Sequence, residues 1–327
     1  MQAANEDRMA PFVAARGVVR ANNAPDIRLR CPRCGANLLS LNCTKCGVEL
    51  WEEEHILRTL PPDRTEHYAQ FIRDYERIRA AEGRGGAGEE FYIGLPFRDS
   101  SGKNSSQWRI RARTYRHLVR HVLTPEVKFG GRILDLGAGN CWLSFRLALA
   151  GYKPLAVDLL TNTLDGLGAA ENYRSYIPDL FPRFQAELAH LPLQDEQFDA
   201  AIFNASFHYA ENDLAAAREA MRCVRPGGLV IISDTPWYTS EESGRRMVSE
   251  RQAGFLQRYG TASSSIPSVE FLTDERLQTL EERLSIRWEV LCPTYGILWS
   301  LRPLLANLRG RREPARFRIY VARKAQR

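Results

Sequence analysis

Four features are missing from this 327-residue chain, and each absence narrows its class. No window approaches the length of an apolar membrane span, and no uninterrupted apolar stretch follows the charged N-terminus as in a secretory leader. A soluble, cytoplasmic protein is expected. No internal repeat is visible, which argues against solenoids and propellers. Charge is not extreme: 45 Lys and Arg against 39 Asp and Glu leave +6. Cysteine follows no disulfide pattern, since four of the seven fall within residues 31–46 and three are scattered. Cys141, Cys223 and Cys292 each stand in apolar context, where a thiol packs as a small hydrophobe, so a reducing compartment is expected.

What is present is ordinary globular composition, 44% hydrophobic and 26% charged, enough for one large domain and one small one. Residues 1–27 lack periodicity and read as a loose arm. A small module is expected over residues 28–50, a helical segment and linker over 51–107, and the main domain over 108–327. Within the second stretch, Tyr68, Phe71, Ile72, Tyr75 and Ile78 recur at helical spacing after Pro61, Pro62 and Asp63. The run Gly83-Arg84-Gly85-Gly86-Ala87-Gly88 reads as a flexible break. From Trp108 a basic helix leads into short apolar runs separated by helices: 132–136, 154–157, 183–186, 198–203 and 228–233. That alternation predicts a parallel sheet covered on both faces. The late strands 286–291 and 316–321 lack a crossover helix between them and fit an antiparallel edge.

The cysteine spacing is Cys31-x-x-Cys34, eight residues, then Cys43-x-x-Cys46, with Gly35 and Gly47 directly after each pair. A two-residue spacing aims both thiolates of a tight turn at one ion, and four thiolates close a tetrahedral shell with no position left for substrate. A structural zinc site is expected, giving folding energy to a segment too short for a core of its own. The module resembles a zinc ribbon. Two disulfides or an iron–sulfur site are the alternatives.

Arg132-Ile133-Leu134-Asp135-Leu136-Gly137-Ala138-Gly139-Asn140 is an apolar strand running into a Gly-x-Gly turn ahead of a helix. Such a turn opens the carboxyl edge of a sheet to a ligand, but dinucleotide-binding proteins share it. Here Trp142 stands where the dinucleotide pattern has its third glycine or alanine, and Asp135 sets a negative charge beside the loop. Both disfavour a pyrophosphate. A ligand cationic at one end and rich in hydroxyls fits instead.

With these residues the chain resembles the class I S-adenosylmethionine-dependent methyltransferases of the type 11 kind, over about residues 113–321. Four motifs carry the resemblance: Asp135-Leu136-Gly137-Ala138-Gly139; Asp158 at the end of the next strand; Ala186-Glu187-Leu188-Ala189-His190-Leu191-Pro192-Leu193 before Phe198-Asp199-Ala200; and Arg225-Pro226-Gly227-Gly228 leading into a strand. The resemblance implies a Rossmann-like α/β fold with a mostly parallel seven-stranded sheet and an antiparallel edge hairpin, behind the small four-cysteine zinc ribbon. It implies S-adenosylmethionine held by Asp135, Gly137, Ala138, Gly139, Asn140, Asp158, Leu159, Glu187, Leu188 and Asn204. Among these, Asp158 would take the ribose hydroxyls and Glu187, one methylene longer than the family's Asp, the adenine amino group. Many members carry a glycine where this chain has Cys141.

Methyl transfer from a sulfonium needs mainly positioning and exclusion of water. In the family the segment after the fourth strand, here Asn204-Ala205-Ser206-Phe207-His208-Tyr209, faces the acceptor. His208 is the candidate base or orienting group, since its usual pKa range suits proton removal near neutrality; packing beside Phe207 and Tyr209 is the alternative. Residues 235–284 supply Trp237, Tyr238, Phe255, Tyr259 and Phe271, expected to line an acceptor pocket or simply a core, and residues 292–296 a part of its mouth. The segment 108–115 is a candidate lid over the methionine carboxylate.

Three functional readings stay open: a small-molecule methyltransferase, suggested by the aromatic stretch; an RNA methyltransferase, suggested by the zinc module and the arginine clusters around residues 109–120 and 309–324; and an inactive cofactor-binding scaffold. No aromatic–basic RNA-reading signature and no Asn-Pro-Pro-Tyr-like motif is found.

Overall fold

The computed structural model describes residues 27–86 and 88–326. The arm expected at 1–27 lies outside these residues except for Ile27, which is buried. The described chain begins as two matching knuckles. Cys31 and Cys43 each accept through their carbonyl from the glycine amide four residues on, Gly35 and Gly47. The flanking bridges pair Arg30 with Asn37 and Asn42 with Glu49.

The strands are β1 (Trp51–Glu53), β2 (Ile56–Arg58), β3 (Arg132–Leu136), β4 (Lys153–Asp158), β5 (Arg183–Gln185), β6 (Phe198–Asn204), β7 (Val224–Ser233), β8 (Trp288–Leu291) and β9 (Ile319–Arg323). They form one sheet in the order β1-β2-β5-β4-β3-β6-β7-β9-β8. It is parallel from β2 to β7 and antiparallel at both edges.

The mostly parallel sheet and its late antiparallel edge are as the sequence implies, but there are nine strands and not seven. The two extra ones are β1 and β2. Each has three residues, and Glu54 and His55 between them both take positive φ, 52° and 58°. A two-residue hairpin of that kind normally announces itself by Asn-Gly or Asp-Gly. Glu-His carries no such signal.

The helices are α1 (Pro62–Ala81), α2 (Glu89–Gly94), α3 (Ser105–Leu118), running through a π-turn at Val119–Leu123 into α4 (Thr124–Glu126), then α5 (Trp142–Leu149), α6 (Asp213–Cys223), α7 (Glu241–Tyr259), α8 (Asp274–Leu284), α9 (Ile297–Ser300) and α10 (Arg302–Leu308). None among the described residues is long and apolar enough to cross a membrane.

Two apolar clusters cover the two faces of the sheet. One joins Trp108, Leu118, Phe145 and Tyr173 to Ile133, Ala156 and Ile231. The other joins Phe198, Phe203, Ala216 and Trp288 to Leu29, Leu38, Val48 and Leu50 of the cysteine module. The module therefore shares the core of the large domain. Its docking is reinforced where Arg30 donates to the Pro192 carbonyl and Gln197 bonds Arg28 in both directions.

In the 83–88 run Gly88 faces open space, but Gly85 and Gly86 are tightly packed and not part of a loose break. A Cβ at Gly85 would meet Leu164 at 2.2 Å and one at Gly86 would meet Phe91 at 2.1 Å. These glycines are a close-packing device, and Arg84 beside them is buried.

Candidate functional site

The order β5-β4-β3-β6-β7 places the topological switch at β3, since the chain leaves on one side through β4 and returns on the other through β6. Ligand crevices of open α/β sheets lie at that point, outside the strands' carboxyl ends. A cavity of about 720 Å³ opens there. All eleven cofactor-contact and acceptor-side candidates line it: Asp135, Gly137, Ala138, Gly139, Asn140, Asp158, Leu159, Glu187, Leu188, Asn204 and His208.

The glycine loop is folded back on β4, with the amides of Gly137 and Ala138 donating to the Val157 carbonyl at 2.8 and 3.0 Å. Gly137 has φ +76°, and a Cβ there would lie 2.2 Å from that of Ser206, so no other residue fits. Cys141 adopts φ +62° at the head of α5. That left-handed conformation is the physical reason a glycine suits this place.

The two carboxylates beside this loop are short of partners. Asp158 accepts from the Gly139 amide at 2.7 Å and the Leu160 amide at 2.8 Å, yet burial pushes its pKa up to about 6. Asp135 accepts only from Ser144, through the amide at 3.1 Å and the hydroxyl at 2.7 Å, and its Oδ1 has no partner. Burial, together with the nearby Asp158, raises its pKa to about 7. A cationic group placed here would restore both charges.

Glu187, one residue beyond the Ala186 amide that donates to the Asp158 carbonyl, is already claimed. Arg64 of α1 grips it through Nε at 3.0 Å and Nη2 at 2.6 Å, Tyr68 donates at 2.9 Å, and His190 lies 3.0 Å away. Burial would raise its pKa, but His190 and Arg64 outweigh that and hold it at about 2.

His208 does not fit the role of a base titrating near neutrality. Burial, then Arg251, Arg111 and Arg79, lower its pKa to about 3, and its Nδ1 has no partner. These surroundings favour the neutral imidazole.

The aromatics lining the cavity differ from those the sequence suggested. Trp237, Tyr238, Phe255, Tyr259 and Phe271 are not among its wall residues, and neither are residues 292–296. Tyr238 and Phe271 pack on each other instead, with ring centroids 5.9 Å apart, and Phe255 packs on Tyr259. The walls are furnished by Tyr68, Phe71 and Tyr75 of α1, with Tyr209, Trp142 and Phe317.

Several polar wall residues carried no recognisable motif. Arg79 pairs with Asp165 at 2.5 Å, and Asp165 also accepts from Asn140. Arg251 forks onto Glu270 with both contacts at 2.5 Å. Asp234 accepts from Thr114 at 2.6 Å. Arg111 faces the cavity, whereas Arg109, Arg113, Arg116 and Arg120 are exposed. Helical spacing along α3 was the available signal for separating that one arginine from its neighbours.

The four cysteines converge, with Cys31 and Cys46 sulfurs 3.5 Å apart, Cys34 and Cys43 sulfurs 3.6 Å apart, and all four within 4.8 Å of one another. Disulfide sulfurs would be about 2.0 Å apart. Sulfurs on a zinc tetrahedron with bonds of about 2.3 Å lie about 3.8 Å apart, so the set fits a four-coordinate metal. Of the three scattered thiols, Cys141 and Cys223 are buried as expected, but Cys292 is exposed.

Residues 134–232 match the family model for a methyltransferase domain. The stretch runs from β3 through nearly all of β7 and so includes every candidate on the cavity's sheet side. The chain is 29% identical over 122 residues to a demethylmenaquinone methyltransferase of Mycobacterium tuberculosis, covering 37% of this chain and 47% of that protein. It is 28% identical over 124 residues to an arsenite methyltransferase of Aquipseudomonas alcaligenes, covering 35% of each. It thus spans half or less of the curated relatives it matches. A solved S-adenosylmethionine-dependent methyltransferase from Mesorhizobium loti covers 67% of this chain and 98% of its own, at 23% identity and a TM-score of 0.44. Residues 134–232, the parallel centre of the sheet, are thus the part of this chain that is similar to methyltransferase domains.

Proposed function

We propose that the protein transfers a methyl group from S-adenosylmethionine to a small-molecule acceptor. The observation carrying this reading is the pair of buried, under-neutralised carboxyls, Asp135 and Asp158, beside a glycine loop in the switch-point crevice. When bound, S-adenosylmethionine supplies a methyl carbon already activated by a sulfonium. Asp158 would accept the ribose hydroxyls, the close-packed backbone of residues 137–139 would border the amino-acid part, and Asp135 would set the negative potential that favours its cationic end. Leu159 and Leu188 would flank the nucleoside, and Asn204 would border the methyl. Glu187 reaches the adenine end as a carboxylate shared with Arg64.

His208, whose burial beside three arginines makes it a poor proton acceptor, would orient the acceptor through its neutral ring and not take its proton. Replacing it with Ala should slow turnover and leave cofactor affinity unchanged. The cysteine cluster would hold zinc as a brace between the first residues of the module and the domain core, and metal analysis of purified protein is expected to find one zinc per chain.

The relatives the chain matches are named for methylating demethylmenaquinone and arsenite, which favours a small acceptor over RNA. The test is incubation with methyl-labelled S-adenosylmethionine and either a metabolite extract or total RNA. Label is expected in the small-molecule fraction. Label confined to RNA would overturn the acceptor class, and cofactor binding without any transfer would leave only a scaffold.

A further inference from the structure

The cavity is not the only surface that lacks a partner. Between Gly296 and Arg312 the chain carries no acidic residue. Short helices α9 and α10 lie there, and they turn large aliphatic side chains outward: Ile297 is 80% exposed, Leu298 81%, Leu304 56% and Leu308 74%, with Leu301 and Leu305 also exposed. Scattered exposed leucines are ordinary, but a cluster of six within twelve residues is a contiguous apolar patch of the kind that marks a docking surface.

Cations rim this patch. Arg309 and Arg311 follow α10, exposed and without an ion pair among the described residues. On the other side, Arg113, Arg116, Arg120 and His121 of α3 and its π-turn share a shallow hollow with Pro293, Thr294 and Gly296, directly before α9. The platform is fixed to the body. Trp299 stacks on Phe317 at 5.8 Å and packs against Tyr295 at 5.2 Å, and the Arg302 guanidinium lies 3.5 Å from its ring centre.

We infer that the α9–α10 face, with its arginine rim, seats the protein on an anionic lipid surface. An apolar face bordered by exposed arginines lets aliphatic side chains enter the acyl boundary while the guanidiniums meet phosphate headgroups. A second copy of the chain fits this face poorly, since a two-fold contact would bring the same arginines against one another with no acidic residue in the segment to offset them. The helices lie on the surface and do not cross it. Phe317, the ring beneath Trp299, also lines the cavity, so the lipid-facing platform adjoins the cavity wall. Docking of this kind holds whether or not methyl transfer is the activity.

The test is sedimentation of the full chain with phosphatidylcholine vesicles, with and without phosphatidylglycerol, while light scattering reads the mass in solution. Binding is expected only with phosphatidylglycerol present, weakening as salt rises. Leu298→Glu with Leu304→Glu should abolish it. Arg309→Gln with Arg311→Gln should weaken it at least about fivefold. Leu39→Glu, at a leucine equally exposed on the cysteine module, should leave it unchanged. Circular dichroism of each variant establishes that the fold is intact. No difference between the two vesicle types, or undiminished binding by Leu298→Glu with Leu304→Glu, would overturn the inference. So would a dimer in solution that these two substitutions convert to a monomer without any vesicle binding by the original protein.

Discussion

The strands β3 and β4 and the loop after β5 each present buried carboxylates to the cavity at motif positions, yet they are electrostatically opposite. Beside the glycine loop Asp135 and Asp158 receive only hydroxyl and amide donors, and burial lifts their pKa values to about 7 and about 6. After β5, Glu187 is gripped by His190 and Arg64 and held at about 2. Asp135 and Asp158 have no cationic partner among the described residues, while Glu187 is paired with Arg64 of α1, an element outside the matched stretch. A motif thus locates a carboxylate without saying whether it is waiting for a ligand or already satisfied by the chain.

The contrast can be broken most severely at Arg64. Arg64→Ala leaves Glu187 buried with only Tyr68 and His190, and removing one member of a mostly buried pair should cost about 2–3 kcal/mol, the partial exposure of Arg64 keeping the figure below that of a fully buried pair. Urea unfolding should show it as a lowered midpoint; an unchanged midpoint would mean that the pair contributes nothing.

Asp158→Ala should weaken S-adenosylmethionine binding by about 1–3 kcal/mol, the scale of charge-assisted hydrogen bonds. Identical calorimetric titrations for both proteins would remove Asp158 from the cofactor site.

Asp135→Asn sharpens the comparison in the opposite direction. A folded-state pKa near 7, raised from about 3.9 in the unfolded chain, means the folded protein holds an extra proton between those values. Stability is then lost as pH rises from about 4 to about 7. The ligand-free Asn variant should match the original protein near pH 4 and be more stable by up to about 4 kcal/mol near pH 7.5, because it has no carboxyl to ionise. A variant that is less stable at both pH values would contradict the assigned cause.

Much of the site was legible because its signals are local. Asp135, Gly137 and Gly139 lie within five residues, Asp158 ends the next strand, and the Cys-x-x-Cys pairs declare themselves by spacing. What stayed hidden joins distant segments. Arg64 and Glu187 are 123 residues apart, and the aromatic wall of Tyr68, Phe71 and Tyr75 comes from a helix whose periodicity shows a buried face but not what it faces. The pKa of His208 depends on Arg79, Arg111 and Arg251 from three different helices, so no reading of its neighbours in sequence would have set it. The β1–β2 hairpin escaped for a different reason: its strands are three residues long and its turn uses Glu54-His55 in place of glycine.

Calorimetric titration of S-adenosylmethionine across pH, repeated in buffers of different ionisation enthalpy, reads the Asp135 and Asp158 carboxyls directly. Affinity should rise as pH increases from about 5 to about 8, and binding near pH 6.5 should release protons as Asp135 and Asp158 ionise against the incoming cation. Absence of binding, or an affinity that neither changes with pH nor releases protons, would contradict a crevice built for a cationic nucleoside.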